Sequence, residues 1–154
     1  MVKFRLEQYH GTNREQFLEL LLLGDEDETK VQAYLQTGEL YLAKKFGQTV
    51  GVALIVPTEE PTVFELKNLA VLPEFQRQKI ATKLIEYAIL AQSTQVKRLI
   101  VGTGDADLNN MRFYLRNGFR FLRIEPDFFL SYPQPIYAEG ISLKDMVYFY
   151  RYLS

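Results

Sequence analysis

Residues 62–90, TVFELKNLAVLPEFQRQKIATKLIEYAIL, decide the predicted fold. The segment 62–71 is long and apolar enough to form a strand, and Pro73 ends it. Apolar residues then recur at helical spacing from Ile80 onward, which predicts a helix of about four turns beginning near Gln78. A strand, a polar turn and a helix N-terminus in this order present free backbone N–H groups at the positive end of the helix dipole. Such a turn binds an anion readily.

The side chains of this turn include many hydrogen-bond donors. They are Gln76, Arg77, Gln78, Lys79 and Thr82. Two interpretations stay open on these residues alone, a phosphate site and a solvated loop that precedes a core helix. Lys79 occupies a position where a phosphate-binding turn is expected to carry glycine, since glycine lets the anion approach the backbone.

The rest of the chain surrounds this unit with further strands and helices. Strands are predicted at 2–9, 39–46, 49–56, 62–71, 96–103, 119–124 and 146–153, and further helices at 17–23, 29–38 and 108–118. The spacing of Thr12 and Glu15 predicts a capping box before the first helix. The acidic run 25–28 is interpreted as a solvated helix start in preference to a cation site. We therefore predict one α/β (α+β) domain over residues 1–154, built on a mixed sheet.

Composition excludes several classes of function. The net charge is −1 with a pI of about 5.9, so no global attraction to nucleic acid is expected. The chain has no cysteine and one histidine, which argues against disulfides, a cysteine nucleophile and a metal site. The apolar run 18–24 is too short to span a membrane, so no membrane partner and a cytoplasmic location are expected.

Two stretches resemble the GNAT superfamily of N-acetyltransferases. The family's Gln/Arg-x-x-Gly-x-Gly/Ala pattern is matched at Gln76 and Ala81, after a strand that ends in NLAV, and departs at Lys79. About 30 residues later, the run 110–119, NMRFYLRNGF, resembles the family's second motif. Segments of the tail between 127 and 146 resemble a bacterial subgroup of unassigned acceptor. The resemblance implies a GNAT-like, mostly antiparallel sheet flanked by helices.

The resemblance also implies acetyl-CoA as co-substrate. The pyrophosphate is expected on the backbone amides of residues 77–82, and the pantetheine arm on the strand that contains Leu69, Ala70 and Val71. The implied CoA-binding residues are Leu69, Ala70, Val71, Gln76, Arg77, Gln78, Lys79, Ile80, Ala81, Thr82, Asn110 and Phe113. Lys79 is expected to point outward, with a backbone that avoids a conformation open only to glycine.

Two residues are candidates for the proton transfers. Tyr114 is the implied general acid for the departing thiolate, and the alternative is a tyrosine packed between helix and sheet. By the same resemblance Glu65 is the candidate base for the amine, and the alternative is a plain ion pair with Lys67 on the same strand face. His10, which follows the first strand, is expected either to border the acceptor pocket or to be structural or solvated.

The function that follows is acetyl transfer to a primary amine of a small molecule or a peptide, by direct transfer in a ternary complex. The alternative is a CoA-binding sensor or interaction module without catalysis. Tyr132 and Tyr137 either line the acceptor pocket or cover the sheet. The aromatic strand 146–153 leaves a homodimer open.

Overall fold

The computed structural model describes residues 3–153. The strands are β1 (Arg5–Tyr9), β2 (Glu39–Lys45), β3 (Gln48–Pro57), β4 (Val63–Val71), β5 (Arg98–Gly104), β6 (Arg120–Glu125), β7 (Tyr137–Ala138), β8 (Ile141–Ser142) and β9 (Met146–Tyr152). The α-helices are α1 (Leu18–Gly24), α2 (Glu28–Tyr34), α3 (Ile80–Leu90) and α4 (Leu108–Arg116). None of the helices in this range is long and apolar enough to cross a membrane.

Seven strands form one sheet in the order β1-β2-β3-β4-β5-β9-β6, and β7 and β8 form a separate hairpin. Every neighbouring pair in the large sheet is antiparallel except β4 and β5, which are parallel. The parallel pair is connected through α3, as a strand–helix–strand crossover requires. The predicted mixed and mostly antiparallel sheet is confirmed.

Helices cover both faces of the sheet. On one face, α3 and α4 bury Leu84, Ile85 and Tyr114 against β-strand residues such as Val101 and Phe149. The other face carries α1 and α2, whose apolar residues pack on β2 and β3 in a second core cluster. The alternation of side chains along β2 and β3 sends neighbouring residues to opposite faces, so these two strands support both layers.

The two central strands separate partway along their length. β4 pairs with β5 only from Val63 to Glu65 within the described chain. Between β3 and β4 the register shifts by one residue at Leu54/Ile55, which leaves Lys67 as the extra residue of a β-bulge. A bulge bends and twists its strand. β4 therefore turns away from β5 just after Glu65, and a gap opens between them.

Several local predictions differ from the structure, among them the helix predicted over 29–38, which ends at Tyr34. The first strand begins at Arg5, and Val2 of the predicted segment lies outside the described residues. The predicted capping box is wrong, because a 3₁₀ turn starts after Asn13 without a side-chain cap and Arg14 instead donates to the carbonyl oxygens of Leu35, Thr37 and Gly38. The helix predicted from near Gln78 begins two residues later.

Asp27 and Glu28 of the acidic run 25–28 start α2, as predicted, whereas Asp25 lies at the C-terminus of α1. The Asp27 carboxylate accepts a hydrogen bond from the backbone N–H of Lys30 at 3.0 Å and so caps α2. This is the geometry that makes aspartate a favoured N-cap residue.

Candidate active site

A cavity of about 440 Å³ lies where β4 and β5 separate. β4 contributes residues 65–71 to its wall, and β5 contributes residues 101–104. Beyond Glu65, the edge of β4 that faces β5 makes no strand pairing in the part of the chain that the structure describes. Its backbone N–H and C=O groups can therefore pair with an extended ligand, as with an added strand.

The cavity brings together half of the predicted site residues, from β4, the following turn and α4. They are Glu65, Leu69, Ala70, Val71, Gln76, Asn110 and Tyr114. The residues from Arg77 to Thr82 do not line it but continue from Gln76 into the first turn of α3. Among them the Ile80 side chain is buried in the core, so only its backbone can face a ligand. Phe113 packs edge-on against the Tyr114 ring, with ring centroids 5.2 Å apart.

The turn before α3 has an unusual backbone. Arg77 and Lys79 both have positive φ angles, 63° and 64°. Lys79 has ψ 18° and so lies in the left-handed helical region, which glycine favours but other residues reach at a cost. Its side chain is exposed, as predicted. The Gln76 amide donates to the Val71 carbonyl oxygen at 3.0 Å and closes the other end of the turn.

Lys79→Gly is expected to keep CoA binding and to change the free energy of unfolding by less than about 1 kcal/mol. Relief of the left-handed backbone offsets the greater freedom of glycine in the unfolded chain. Lys79→Met is the matched control, since it removes the charge but keeps the backbone strain. Thermal unfolding and CoA titration of both variants at low and high salt check this. Loss of CoA binding in the glycine variant at both salt concentrations would contradict it.

Tyr114 and Asn110 lie one helical turn apart on the side of α4 that faces the cavity. The Tyr114 side chain is buried and packs against the rings of Phe119 and Phe149. Burial, and secondarily the Asp107 carboxylate, raises the pKa of the Tyr114 phenol above its ordinary value. The phenol therefore stays protonated at neutral pH and can act as a proton donor.

Glu65 stands at the point where the two strands part. Burial is the main reason why the pKa of the Glu65 carboxyl is raised, while Lys67 and Arg123 act in the opposite direction. The Lys67 ammonium is 4.0 Å from the Glu65 carboxylate, at the outer limit of an ion pair. Burial, with Glu65 and Glu125 nearby, also raises the pKa of Tyr148 to about 12.

Sequence reasoning missed a polar network in the wall of the cavity. Both carboxylate oxygens of Asp25 accept hydrogen bonds from phenols, one from Tyr34 at 3.2 Å and one from Tyr132 at 3.3 Å. Asn68, which is buried, donates to the Tyr34 hydroxyl and to the Leu21 carbonyl oxygen, both at 2.8 Å. Asp25 and Tyr132 are 107 residues apart, so no local spacing could have paired them.

This network depends on a close approach at Gly24. A Cβ atom at that position would lie 2.2 Å from the Asn68 side-chain oxygen. That oxygen has no hydrogen-bond partner within residues 3–153. Only glycine therefore lets the end of α1 rest on β4 at this point.

Of the three residues that the sequence suggested near the acceptor, two line the cavity and one does not. Tyr132 and Tyr137 both line the cavity. His10 is exposed at the end of β1 and is not part of the cavity wall. The solvated alternative for His10 is the one that agrees with this position.

Comparison with known proteins identifies the family. Residues 36–121 match the model of the acetyltransferase (GNAT) domain. The chain is 35% identical to the uncharacterized N-acetyltransferase YvbK of Bacillus subtilis (strain 168), over 97% of each chain. The crystal structure of a GNAT family acetyltransferase from Elizabethkingia anophelis with acetyl-CoA bound has a TM-score of 0.88 and 33% identity, with 97% of both chains covered. A Bacillus subtilis acetyltransferase in complex with CoA has a TM-score of 0.88 and 33% identity, over 99% of this chain and 100% of that one. This chain therefore belongs to the GNAT family of acetyltransferases.

Proposed function

We propose that this N-acetyltransferase moves the acetyl group of its co-substrate, acetyl-CoA, directly to a primary amine of a small molecule or peptide. The observation that carries the proposal is the gap between β4 and β5, with Glu65 at its inner end and Tyr114 on its wall. The sequence has no cysteine to carry an acetyl group, which favours direct transfer in a ternary complex. Relatives crystallised with acetyl-CoA or CoA support the choice of co-substrate.

The unpaired edge of β4 is the proposed seat of the pantetheine arm. Its amides would pair with backbone groups of residues 69–71, as an added strand does. A backbone N–H near Leu69 or Ala70 would then stabilise the oxyanion that develops on the thioester. Asn110, whose amide nitrogen lies 3.4 Å from the Thr103 hydroxyl oxygen, would contact the same arm.

The pyrophosphate is proposed to rest at the end of this gap on the turn before α3. The N-terminus of α3 has no side-chain cap, so its first N–H groups are available to phosphate oxygens. Thr82 would add a hydroxyl donor, and Arg77 and Lys79 would add positive charge.

The proton balance assigns one role to each candidate. Glu65 takes a proton from the ammonium form of the acceptor, and the free amine attacks the thioester carbonyl. The tetrahedral intermediate collapses with cleavage of the C–S bond, and the Tyr114 phenol protonates the departing thiolate. The acetylated nitrogen releases its second proton, which restores the Tyr114 phenol through water, and Glu65 passes its proton to water, so the products are the acetylated amine and free CoA.

The cavity also favours a class of acceptor. Asp25, Glu26 and Glu65 line it with carboxylates, against Lys67 as a cation in the same wall. Phe128, Phe129 and Tyr132 line the same region with aromatic rings. A cationic amine on an apolar body matches both features, because carboxylates attract the ammonium and the rings pack on the body.

The experiment is acetyl-CoA-dependent release of thiol, measured with a panel of amines that share a chain length and differ in charge. We expect turnover with cationic primary amines and little turnover with amines that carry a carboxylate. Tight binding of acetyl-CoA without turnover on the whole panel would support the sensor alternative instead.

The wider setting of the enzyme completes the proposal. Residues 1–154 are proposed to act as one acetyltransferase domain, supported by relatives that match over 97% of their own length. A cytoplasmic location is part of the proposal.

A homodimer is also part of the proposal, and its candidate surface is the exposed edge strand β6, where Phe121 and Ile124 are 60% and 61% exposed. Sedimentation velocity would measure the oligomeric state.

A further inference from the structure

Lys45, at the end of β2, is a buried lysine without a carboxylate partner. Its residue exposure is 9%, and its ammonium donates to the Gln78 side-chain oxygen at 3.2 Å. The ammonium also lies over the rings of Phe46 and Phe75, at 5.1 and 5.3 Å from their centroids. Across residues 3–153, no Asp or Glu oxygen lies within 4.0 Å of it. Its sequence neighbour Lys44, by contrast, lies 3.9 Å from the Glu7 carboxylate.

A buried ammonium without a counter-ion is costly. Removing it from water loses hydration energy that one amide oxygen and two ring faces replace only in part. The folded protein therefore carries an uncompensated loss of hydration energy at Lys45. An anion that binds nearby offsets part of this loss by its attraction to the ammonium. Lys45 therefore favours anion binding at whichever site lies next to it.

That neighbouring site is the turn before α3. Gln78, which accepts the hydrogen bond from Lys45, lies between Arg77 and Lys79, which both have left-handed backbones. The uncapped N-terminus of α3 follows at Ile80. The three cationic side chains, the free N–H groups of α3 and the positive end of its dipole all favour an anion. Without a ligand, the positive charges of Lys45, Arg77 and Lys79 repel one another.

We propose that Lys45 is a positioning residue for the phosphates of CoA. It holds the side chain of Gln78 and with it the geometry of the turn, and its unpaired charge increases the affinity of the turn for phosphate. The inference rests on the proposed function, since the phosphates are those of the proposed co-substrate. It adds a residue from β2 that belongs to neither of the two sequence motifs.

The test is direct titration of CoA into the Lys45→Met variant, with no acceptor present. We expect the Kd for CoA to rise on the order of 10-fold, because a charge-assisted contribution to phosphate binding is lost. In turnover assays the KM for acetyl-CoA should rise, while kcat and the KM for the amine stay close to wild type. The unliganded variant should unfold at no lower temperature than wild type, and CoA should raise its Tm less.

Two matched variants separate charge from packing. Lys44→Met removes a neighbouring lysine of the same strand and should leave the Kd for CoA unchanged. Lys45→Arg keeps the charge and should restore most of the affinity. Dephospho-CoA then identifies the phosphate concerned: an equal loss for both ligands assigns the effect to the pyrophosphate, and a loss confined to CoA assigns it to the 3′-phosphate.

The outcomes distinguish this inference from the proposed function. Equal Kd values for CoA in wild type, Lys45→Met and Lys44→Met would overturn the role of Lys45 and leave the enzyme's function standing. A lower Tm for unliganded Lys45→Met with no rescue by arginine would assign Lys45 to packing alone. Failure of the wild-type protein to bind CoA would overturn both.

Discussion

Glu65→Gln is expected to lower kcat/KM for the amine by on the order of 10²–10⁴. The substitution keeps the size of the side chain but removes its ability to accept a proton from the ammonium. Binding of acetyl-CoA, which we propose to depend on the backbone of β4 and on the turn, should stay unchanged. Steady-state kinetics together with CoA titration would measure both quantities in the same preparation.

The pH profile gives this prediction a second measurement. Because burial raises the pKa of Glu65, its protonated form persists to a higher pH than for a free glutamate. A protonated carboxyl cannot act as the base, so the rate should fall as the pH drops through this raised pKa. The acidic limb should be absent from the residual activity of Glu65→Gln.

Lys67→Met separates the base from the ion-pair alternative. Lys67 lowers the pKa of Glu65, so its removal should move the acidic limb of the wild-type profile to higher pH. If Glu65 and Lys67 form only an ion pair, Glu65→Gln and Lys67→Met should each lose a similar, small amount of stability and keep the wild-type rate of turnover. Wild-type turnover in Glu65→Gln would therefore remove Glu65 from the mechanism.

Tyr114→Phe is expected to lower kcat by on the order of 10² while the KM for acetyl-CoA changes little. Phenylalanine keeps the ring that packs on Phe119 and Phe149 but lacks the hydroxyl that is proposed to protonate the thiolate. The raised pKa of Tyr114 keeps this hydroxyl protonated, so no loss of activity through its ionisation is expected at mildly alkaline pH.

Single-turnover rates of thiol release would test the role of Tyr114 without interference from product release. Tyr87→Phe is a suitable control, because Tyr87 is a half-buried tyrosine of α3 that packs on Tyr41 and does not line the cavity. Equal rates in wild type and Tyr114→Phe would assign the tyrosine to packing, which is the alternative that the sequence left open.

The prediction was most successful where structure is local. The unit from Thr62 to Leu90 could be recognised because alternation, a proline and helical spacing follow one another without interruption. The boundary at Ile80 could not, since it depends on left-handed backbones at Arg77 and Lys79, residue types that rarely adopt them. The capping box failed because the chain starts a 3₁₀ turn after Asn13 without a side-chain cap, and the distant carbonyl partners of Arg14 leave no local pattern.

The sequence by itself determined the order of strands and helices, the donor-rich composition of the turn before α3 and the residues that α4 presents on one face. These properties depend on neighbours within a few positions, which a linear pattern records. Only the tertiary structure decided that β4 leaves β5 after Glu65, that Tyr132 meets Asp25 and that Lys45 reaches Gln78. Each of these depends on strand register, which brings together residues far apart in the chain. Each also depends on burial, which determines the free-energy cost of removing their polar and charged groups from water.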